Sequence, residues 1–422
     1  MTQRNALTFN TITGILAEST PGTHAGTTPL RLRAVRGQPL LKKATRERVG
    51  VPSESPFRLD NPAHVDGKDA VEWQLSVHLS GVASGDRLVG GGATTERSHD
   101  ALFKHLFGRR YAAAGTTVSG SSSTTTSVDL TSATGRKVGE LILVGHHVRR
   151  ITAISSNTVT VSPALPSGPA DATVVRGSRC FVLANRRSAT LSVEQKLVNV
   201  EDAATHEERV LGAFGTLAWQ FGAQGALVQV QASGKAISYA GPSALSAPSW
   251  ALGVSPADDD MDAPFAWMPT AFIDGSAATI EPGSFKITHP GNAQEIGGSG
   301  TRSGIAGFMD TSGRDSDASV QVEFTVRLDE DWPSTTFDGG PGTLFHLIVT
   351  CDPELGDGSP TTLAAWEFPR LQMIERPVKG DMNGRAVYTV KAHALRDTLT
   401  PASATTAEDR DMAWAPMRFA LI

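Results

Sequence analysis

Apolar and polar residues alternate in most of the apolar segments of this chain, and a period of two is typical of strands with one buried face. Residues 71–79 (VEWQLSVHL) show it clearly, because every odd position is apolar. Residues 98–107 (SHDALFKHLF) differ. A capping Ser98 or Asp100 precedes apolar residues at positions 102, 103, 106 and 107, and Gly108 follows. The pattern therefore predicts a mainly β chain with one short amphipathic helix.

A second group of short strands follows a run of small polar residues. Residues 112–127 (AAAGTTVSGSSSTTTS) are predicted to be a linker that does not pack by itself and that marks a boundary. Beyond it, strands are predicted at 138–145, 147–154, 157–165 and 173–183. Their spacing predicts a small barrel or meander inserted into a larger domain, so that the two ends of the insert lie close together.

The remaining chain also has strand periodicity. Strands are predicted at 191–198, 344–351, 363–374 and 386–395, with a hairpin at 214–232 and a polar tail with a short apolar end over the last 25 residues. Pro369 predicts a bulge or an edge position in its strand. Residues 283–289 and 320–326 loosely echo residues 215–221 and 228–231. The echo indicates either a divergent repeat with an extra loop at 288–318 or chance similarity between β sequences.

These boundaries divide the chain into four segments. Residues 1–114 would form the N-terminal part of a first domain with a basic arm or hairpin and the short helix, and residues 115–180 would form the inserted domain. Residues 181–252 would return to the first domain as its core hairpins, and residues 253–422 would form a β-rich half, which is a divergent repeat of the first domain if the echo is not chance.

Composition narrows the class of protein. The chain has 422 residues, of which 42 are Gly and 24 are Pro, and 40% are hydrophobic, which fits short strands joined by turns rather than disorder. No stretch approaches the 18 apolar residues that a membrane span requires. The first residues lack the apolar core of a secretory signal, so folding in a cytoplasm is expected. Cys180 and Cys351 are predicted to be buried free thiols.

Sequence motifs for catalysis, metal binding or cofactor binding are absent. The chain has no nucleophile elbow, P-loop, dinucleotide fingerprint or HExxH motif. Residues 258–262 (DDDMD) lack the Gly and Glu of a calcium loop, and strand alternation separates His146 from His147. We therefore expect no catalytic site, no metal and no cofactor.

One segment carries a strong excess of positive charge, although the net formal charge of the chain is −5. Residues 30–52 contain seven bases and a single acid, Glu47. Two interpretations are open: an arm that contacts an acidic surface, either a neighbouring subunit or phosphates, or a solvated edge that its charge protects. The candidate contact residues are Arg31, Arg33, Arg36, Lys42, Lys43, Arg46 and Arg48.

Taken in order, these segments resemble the tail tube (major tail) proteins of long-tailed bacteriophages. The resemblance begins with residues 18–24 (ESTPGTH) and the basic segment, and continues through the 71–79 strand, the short helix and the Ser/Thr run. It then includes the strands at 138–144, 151–154 and 158–165, residues 191–194 and residues 210–219. It covers about residues 16–240, and the remainder shares only general β character.

The resemblance implies a tail-tube-type β-sandwich or barrel with a short helix, an inserted small β-barrel and an elaborated C-terminal half. It implies homo-hexameric rings, to each of which a subunit gives four barrel strands, stacked into a tube through which double-stranded DNA passes. The implied partners are the tape measure, terminator and distal tail or baseplate proteins, and the implied location is the virion after assembly in the host cytoplasm. The basic segment is then expected at a contact between subunits or rings, with neutral or acidic side chains facing the lumen.

Three other functions compete with the tube. A tail-completion or baseplate hub protein would form one ring rather than many. A carbohydrate-binding β-sandwich or adhesin would need exposed aromatic residues, and the chain has only 7 Trp and 3 Tyr. A hydrolase has no motif to support it.

Overall fold

The fold is described from a computed structural model. The described residues are 11–24, 30–32, 41–50, 64–79, 98–106, 108–183, 190–198, 205–240, 266–288, 293–297, 305–310, 320–327, 337, 340–351, 363–382, 384–403 and 405–422. The chain is mainly β with antiparallel sheets, as the alternation predicts.

The elements fall into three stretches of chain. Up to the insert they are β1 (Thr11–Ala17), β2 (Leu30–Leu32), β3 (Leu41–Gly50), β4 (His64–His78), α1 (Ser98–Leu106) and β5 (Gly108–Ala113). They continue with β6 (Thr116–Thr117), β7 (Ser127–Asp129), β8 (Leu141–Val144), β9 (His147–Ser155), β10 (Thr158–Ser162), β11 (Val174–Val175), β12 (Ser178–Leu183), β13 (Leu191–Val198), β14 (Thr205–Gln220), β15 (Gln229–Ala236) and β16 (Ser238–Ala240). The C-terminal stretch contains β17 (Pro269–Ile273), β18 (Ser276–Ala278), a 3₁₀ turn (Pro282–Ser284), β19 (Lys286–Thr288), β20 (Ala293–Gly297), β21 (Ile305–Asp310), β22 (Gln321–Arg327), β23 (Leu344–Cys351), β24 (Ala364–Met373), β25 (Val378–Met382), β26 (Arg385–Ala394), α2 (Ala407–Trp414) and β27 (Arg418–Leu421).

The first sheet is built from strands on both sides of the insert. Its order is β2-β1-β13-β14-β15-β4-β3, and β16 pairs with β14. The alternation in β4 has the predicted consequence: Val71, Trp73, Leu75 and Val77 are buried, whereas Glu72 is exposed. The predicted hairpin at 214–232 is confirmed as part of β14 and β15.

The insert folds as a small closed sheet. Its order is β6-β11-β8-β9-β10-β7, and a bridge between Val118 and Leu130 joins the two ends of that order. The flanking strands β5 and β12 pair with each other, so that Ala113 lies opposite Ser178 and the ends of the insert are adjacent. The predicted strand at 173–183 is in fact two strands, and the second, β12, belongs to another sheet.

The Ser/Thr run is ordered, contrary to the prediction of a linker. It contains the end of β5, the strand β6 and the buried Val118. Its hydroxyl groups accept hydrogen bonds from the backbone: the Ser127 amide donates to Thr124 Oγ1 over 3.0 Å and the Asp129 amide donates to Ser123 Oγ over 3.0 Å. Composition alone predicted an unpacked linker, because composition does not reveal local hydrogen bonds between side chains and backbone.

The third sheet joins the C-terminal half to the strands that flank the insert. Its main order is β18-β17-β23-β24-β26-β22-β19, while β27 pairs with both β24 and β12, and β12 pairs with β5. The predicted polar C-terminal tail is instead the helix α2, and its predicted short apolar end is the strand β27. Residues 417–422 are buried, because β27 fills the gap between two strands from distant parts of the sequence.

The chain contains the same eight-stranded arrangement twice. We call β1–β4 and β13–β16 the first unit, and β17–β19, β22–β24, β26 and β27 the second unit. When the strands of each unit are numbered along the chain, both units have the order second-first-fifth-sixth-seventh-fourth-third, and in both the eighth strand pairs with the sixth. All of these pairings are antiparallel.

The repeat exists, but it does not align as the sequence echo suggested. The echo matched β14 and β15 with β19 and β22, whereas the topology makes β19 and β22 the counterparts of β3 and β4. The echoed hairpins do share one register, since Trp219 lies opposite Val230 and Ile287 lies opposite Val322. The predicted loop at 288–318 contains the hairpin β20–β21.

A single apolar core runs through both units. The Trp219 ring lies 4.6 Å from that of Phe419 and 5.6 Å from that of Trp366, and the Phe221 ring lies 4.4 Å from that of Trp267. The helix α1 adds Phe103 to the same cluster, 5.4 Å from Trp219. The two units are therefore packed together through aromatic side chains at the end of the β14–β15 hairpin.

Candidate assembly surfaces

The strand order of each unit ends in two edge strands that each have a single partner among the described residues. In the first unit β2 pairs only with β1, and β3 only with β4. In the second unit β18 pairs only with β17, and β19 only with β22. An open edge presents unpaired backbone N–H and C=O groups that another strand can complete. Each unit therefore offers two surfaces suited to strand pairing with a neighbour.

Five of the seven basic residues of segment 30–52 lie in the two edge strands of the first sheet rather than on one arm. Arg31 is in β2, whereas Lys42, Lys43, Arg46 and Arg48 are in β3, at the opposite end of the strand order. Arg33 and Arg36 lie outside the described residues, as do the side chains of the other five. The long hairpin expected in this region is present as β3–β4.

The strand opposite β3 is acidic, which sequence reasoning did not anticipate. The register places Lys43 opposite Glu72, Arg46 opposite Asp69 and Arg48 opposite Asp66. Directly opposed residues of opposite charge stabilise antiparallel pairs by up to about 1 kcal/mol. Three of the seven bases therefore have a partner position within the hairpin, and the excess positive charge is smaller than segment 30–52 alone indicates.

Residues 18–24 include a carboxylate whose hydrogen bonds link the first, fifth and sixth strands of the first unit. The buried Glu18 carboxylate accepts hydrogen bonds from Thr190 Oγ1 (2.5 Å), Ser192 Oγ (2.6 Å) and the amide nitrogens of Gly212 (2.9 Å) and Gly22 (2.8 Å). Buried carboxylates are stable only when hydrogen bonds replace their lost hydration. Glu18 is thus a structural residue that holds the entry to β13 against β14.

A second buried polar cluster joins the insert to the second unit. Arg418 Nη1 lies 2.9 Å from Glu367 Oε2, and Arg418 Nη2 lies 2.7 Å from Asp397 Oδ2. Arg150 in the insert contacts the same two acids at 3.3 and 3.0 Å, and His346 Nε2 lies 2.9 Å from Glu367 Oε1. Arg418 also donates to backbone carbonyls at the end of α2.

The charges in this cluster control its ionisation. Burial by itself would raise the pKa of the Glu367 carboxyl, but the charges of Arg150 and Arg418 and the contact with His346 lower it to about 2. Burial likewise opposes the charged form of Arg418, whose pKa is nevertheless raised by Glu367 and Asp397. The cluster is therefore an ion network at neutral pH that fixes β27, β24 and β9 together.

No three His, Cys, Asp or Glu side chains among the described residues could together hold a metal ion. Cys180 and Cys351 are buried and not joined in a disulfide, as predicted, and burial raises the pKa of Cys180 to about 12, which disfavours the reactive thiolate. Residues 258–262 lie outside the described residues. No described helix is long and apolar enough to cross a membrane.

Sequence reasoning missed Glu18, Glu367 and Arg418, because their partners lie far away along the chain. A usable signal was present only for Glu18, which stands between an alternating strand and a Pro-Gly turn.

Comparison with known proteins assigns no family or function: no protein-family model matches the chain, and no curated protein has significant sequence similarity to it.

Proposed function

We propose that this chain is the subunit of a ring that stacks into a tube, as in the tails of long-tailed bacteriophages, and that the tube conducts double-stranded DNA. The observation that carries the proposal is the pair of antiparallel units, each with open edges at both ends of its strand order. A closed ring completes such edges with strands from neighbours and removes the exposed backbone groups. The order of sequence segments that resembles tail tube proteins supports the same conclusion.

The proposed mechanism is passive conduction. Each chain carries a formal charge of −5, so a ring of any size is negative overall and repels the phosphate backbone at long range. A lumen rich in Lys and Arg would instead bind phosphates tightly and with strong salt dependence. The tube would thus allow DNA to move without adhering to the wall.

A carbohydrate-binding function is less consistent with the side chains. Trp73, Trp219, Trp267 and Trp366 are all buried, and none of the exposed large hydrophobic residues in the described part is aromatic. Sugar-binding surfaces depend on exposed aromatic rings. A terminator or hub protein would use the same open edges, and copy number distinguishes it from a tube.

Electron microscopy of the purified protein at high concentration, and of particles that contain it, tests this function. Stacked rings with many copies per particle are expected. One ring per particle would assign the chain to a terminator or hub, and the absence of rings from particles that contain the protein would contradict both. A monomer that binds glycans would favour the adhesin.

The register of the β3–β4 hairpin permits a sharper test of the basic edge. Exchanging charges across it, with Arg46→Asp, Asp69→Arg, Arg48→Asp and Asp66→Arg, keeps the net charge and the opposed pairs but moves the bases from the edge strand to β4. If the bases contact a neighbour, this variant stays folded and loses assembly.

The matched control exchanges the exposed pair Lys391 and Glu375, which are 3.1 Å apart. We expect Lys391→Glu with Glu375→Lys to assemble like the wild type. Normal assembly of the hairpin variant would instead show that these bases only pair with the acids of β4 and do not contact a neighbour.

A further inference from the structure

We infer that three copies of this chain, and not six, close each ring, because every chain already contains two ring-forming units. The inference rests on the proposed function, and it replaces the homo-hexamer that the sequence resemblance implies with a trimer of pseudo-sixfold symmetry. The partner that the open edges fit is a second copy of the same chain.

The common strand order is the first support. Eight strands in each half pair in the same order, including an eighth strand that returns to the sixth. Many orders are available to eight antiparallel strands, so agreement at every position indicates one architecture used twice.

Irregularities at matching places are the second support. Between Leu191 and Val193 of the first unit, the sixth strand has one extra residue, because their partners are Ala213 and Val210. Between Phe345 and Leu347 of the second unit, the sixth strand again has one extra residue, since the partners are Leu371 and Phe368. A bulge bends a strand locally, so both units bend at the same place.

A carboxylate after the first strand is the third support. Glu18 follows β1 and accepts a hydrogen bond from Ser192 in the fifth strand. Asp274 follows β17 and accepts one from the amide of His346, also in a fifth strand, over 2.8 Å. Both units thus place a hydrogen-bonded carboxylate between the first and fifth strands, buried at Glu18 and exposed at Asp274.

The contact between the two units of one chain is already complete. The aromatic rings of Trp219 and Phe221 pack on those of Trp267, Trp366 and Phe419 across it. The open edges of the first unit (β2 and β3) and of the second unit (β18 and β19) remain for neighbours. In a closed ring, first and second units then alternate, and each contact between chains joins unlike units.

The size of the bore favours three chains. If each unit gives four strands to a common barrel, three chains give 24 strands and a backbone diameter of about 50 Å, at about 4.8 Å per strand and a tilt near 45°. Six chains would give 48 strands and a diameter of about 100 Å, far wider than a DNA duplex needs. Three chains also carry half of the total negative charge of six.

The number of inserts in a ring gives the number of chains directly, because the insert interrupts only the first unit. A ring of three chains should show three insert protrusions, and a ring of six chains should show six. Averaged end-on electron micrographs would count them, aided by a gold-binding tag in the turn at Gly135, where a side chain would meet nothing within 4 Å. Mass photometry of single rings should give about 133 kDa, three times the 44.4 kDa chain.

The outcomes separate this inference from the proposed function. Rings with three protrusions and the mass of a trimer support both the trimer and the tube function. Six protrusions with twice that mass would overturn the trimer and leave the tube function standing. Absence of any ring from particles that contain the protein would overturn the function itself. The untagged protein is the control, and its rings should have the same mass apart from the tag.

Discussion

Glu367 is fully buried between two arginines and a histidine, and its ionisation couples the fold to pH. The pKa of its carboxyl is lowered from 4.5 to about 2, so the carboxylate contributes stability above about pH 4.5 and that contribution is lost as the pH falls toward 2. We expect the free energy of unfolding of the wild type to fall over this interval by about 3 kcal/mol more than that of Glu367→Gln. Urea titrations at several pH values measure the difference.

The control for this prediction is Glu375→Gln, which removes a carboxylate that is half exposed and pairs with Lys391 on the surface. Such pairs contribute at most about 1 kcal/mol, so its profile should follow that of the wild type. Parallel profiles for wild type and Glu367→Gln would show that the carboxylate is not the coupled group.

Gly215 allows a second test, because its backbone approaches a neighbouring strand too closely for any side chain. Gly215 lies opposite Gly234, and a Cβ atom at Gly215 would lie 1.9 Å from the carbonyl oxygen of Ser233. We expect Gly215→Ala to lower the free energy of unfolding by about 3 kcal/mol, through displacement of β15. Denaturant unfolding followed by tryptophan fluorescence measures the loss.

Gly283 is the matched control, since it is the counterpart of Gly215 in the sequence echo. A Cβ atom there would meet nothing within 4 Å, so Gly283→Ala should change stability by no more than about 0.5 kcal/mol. Equal losses in the two variants would refute the steric explanation.

The C-terminal strand β27 is central to the fold although it is the last element of the chain. The ring of Phe419 lies 4.6 Å from that of Trp219, 5.0 Å from that of Phe103 and 5.4 Å from that of Trp366. We expect Phe419→Ala to cost about 3–5 kcal/mol, measured by urea unfolding, because the cavity would open where both units meet.

Val378→Ala serves as the comparison for Phe419→Ala. Val378 is 59% exposed in β25, so its truncation should cost less than about 0.5 kcal/mol. A small loss for Phe419→Ala as well would mean that β27 is peripheral, as a tail would be.

The elements differ in how far the sequence could predict them. Periodicity located β4, β23 and α1, and Pro369 correctly indicated a bulge in β24, because those signals are local. The strand β27 was missed because Arg418 begins it, and a buried arginine is intelligible only with Glu367 and Asp397 beside it. Partners that lie 51 and 21 residues away along the chain leave no trace in the local pattern.

The repeat and the basic segment show the same limit. Period-two hairpins resemble one another, so the echo matched β14–β15 with β19–β22, while the true correspondence appears only in the sheet order. The acids of β4 that oppose Lys43, Arg46 and Arg48 were visible in the sequence, but the register that brings them together was not. The candidate contact residues therefore remain a prediction, and Arg31 lies on a different edge from those of β3.

The whole chain should unfold as one cooperative system, despite its two units and its insert. The apolar core is continuous between the units, β27 of the second unit pairs with β12, and Arg150 of the insert contacts Glu367. Neither unit can then be unfolded without exposing the core of the other. We expect a single calorimetric transition of the unassembled chain, with equal calorimetric and van't Hoff enthalpies, and no stable fold for residues 1–252 or 253–422 expressed alone. Two resolved transitions, or a fragment with well-dispersed amide resonances, would show instead that the units are independent domains and that the aromatic contact between them is only a docking surface.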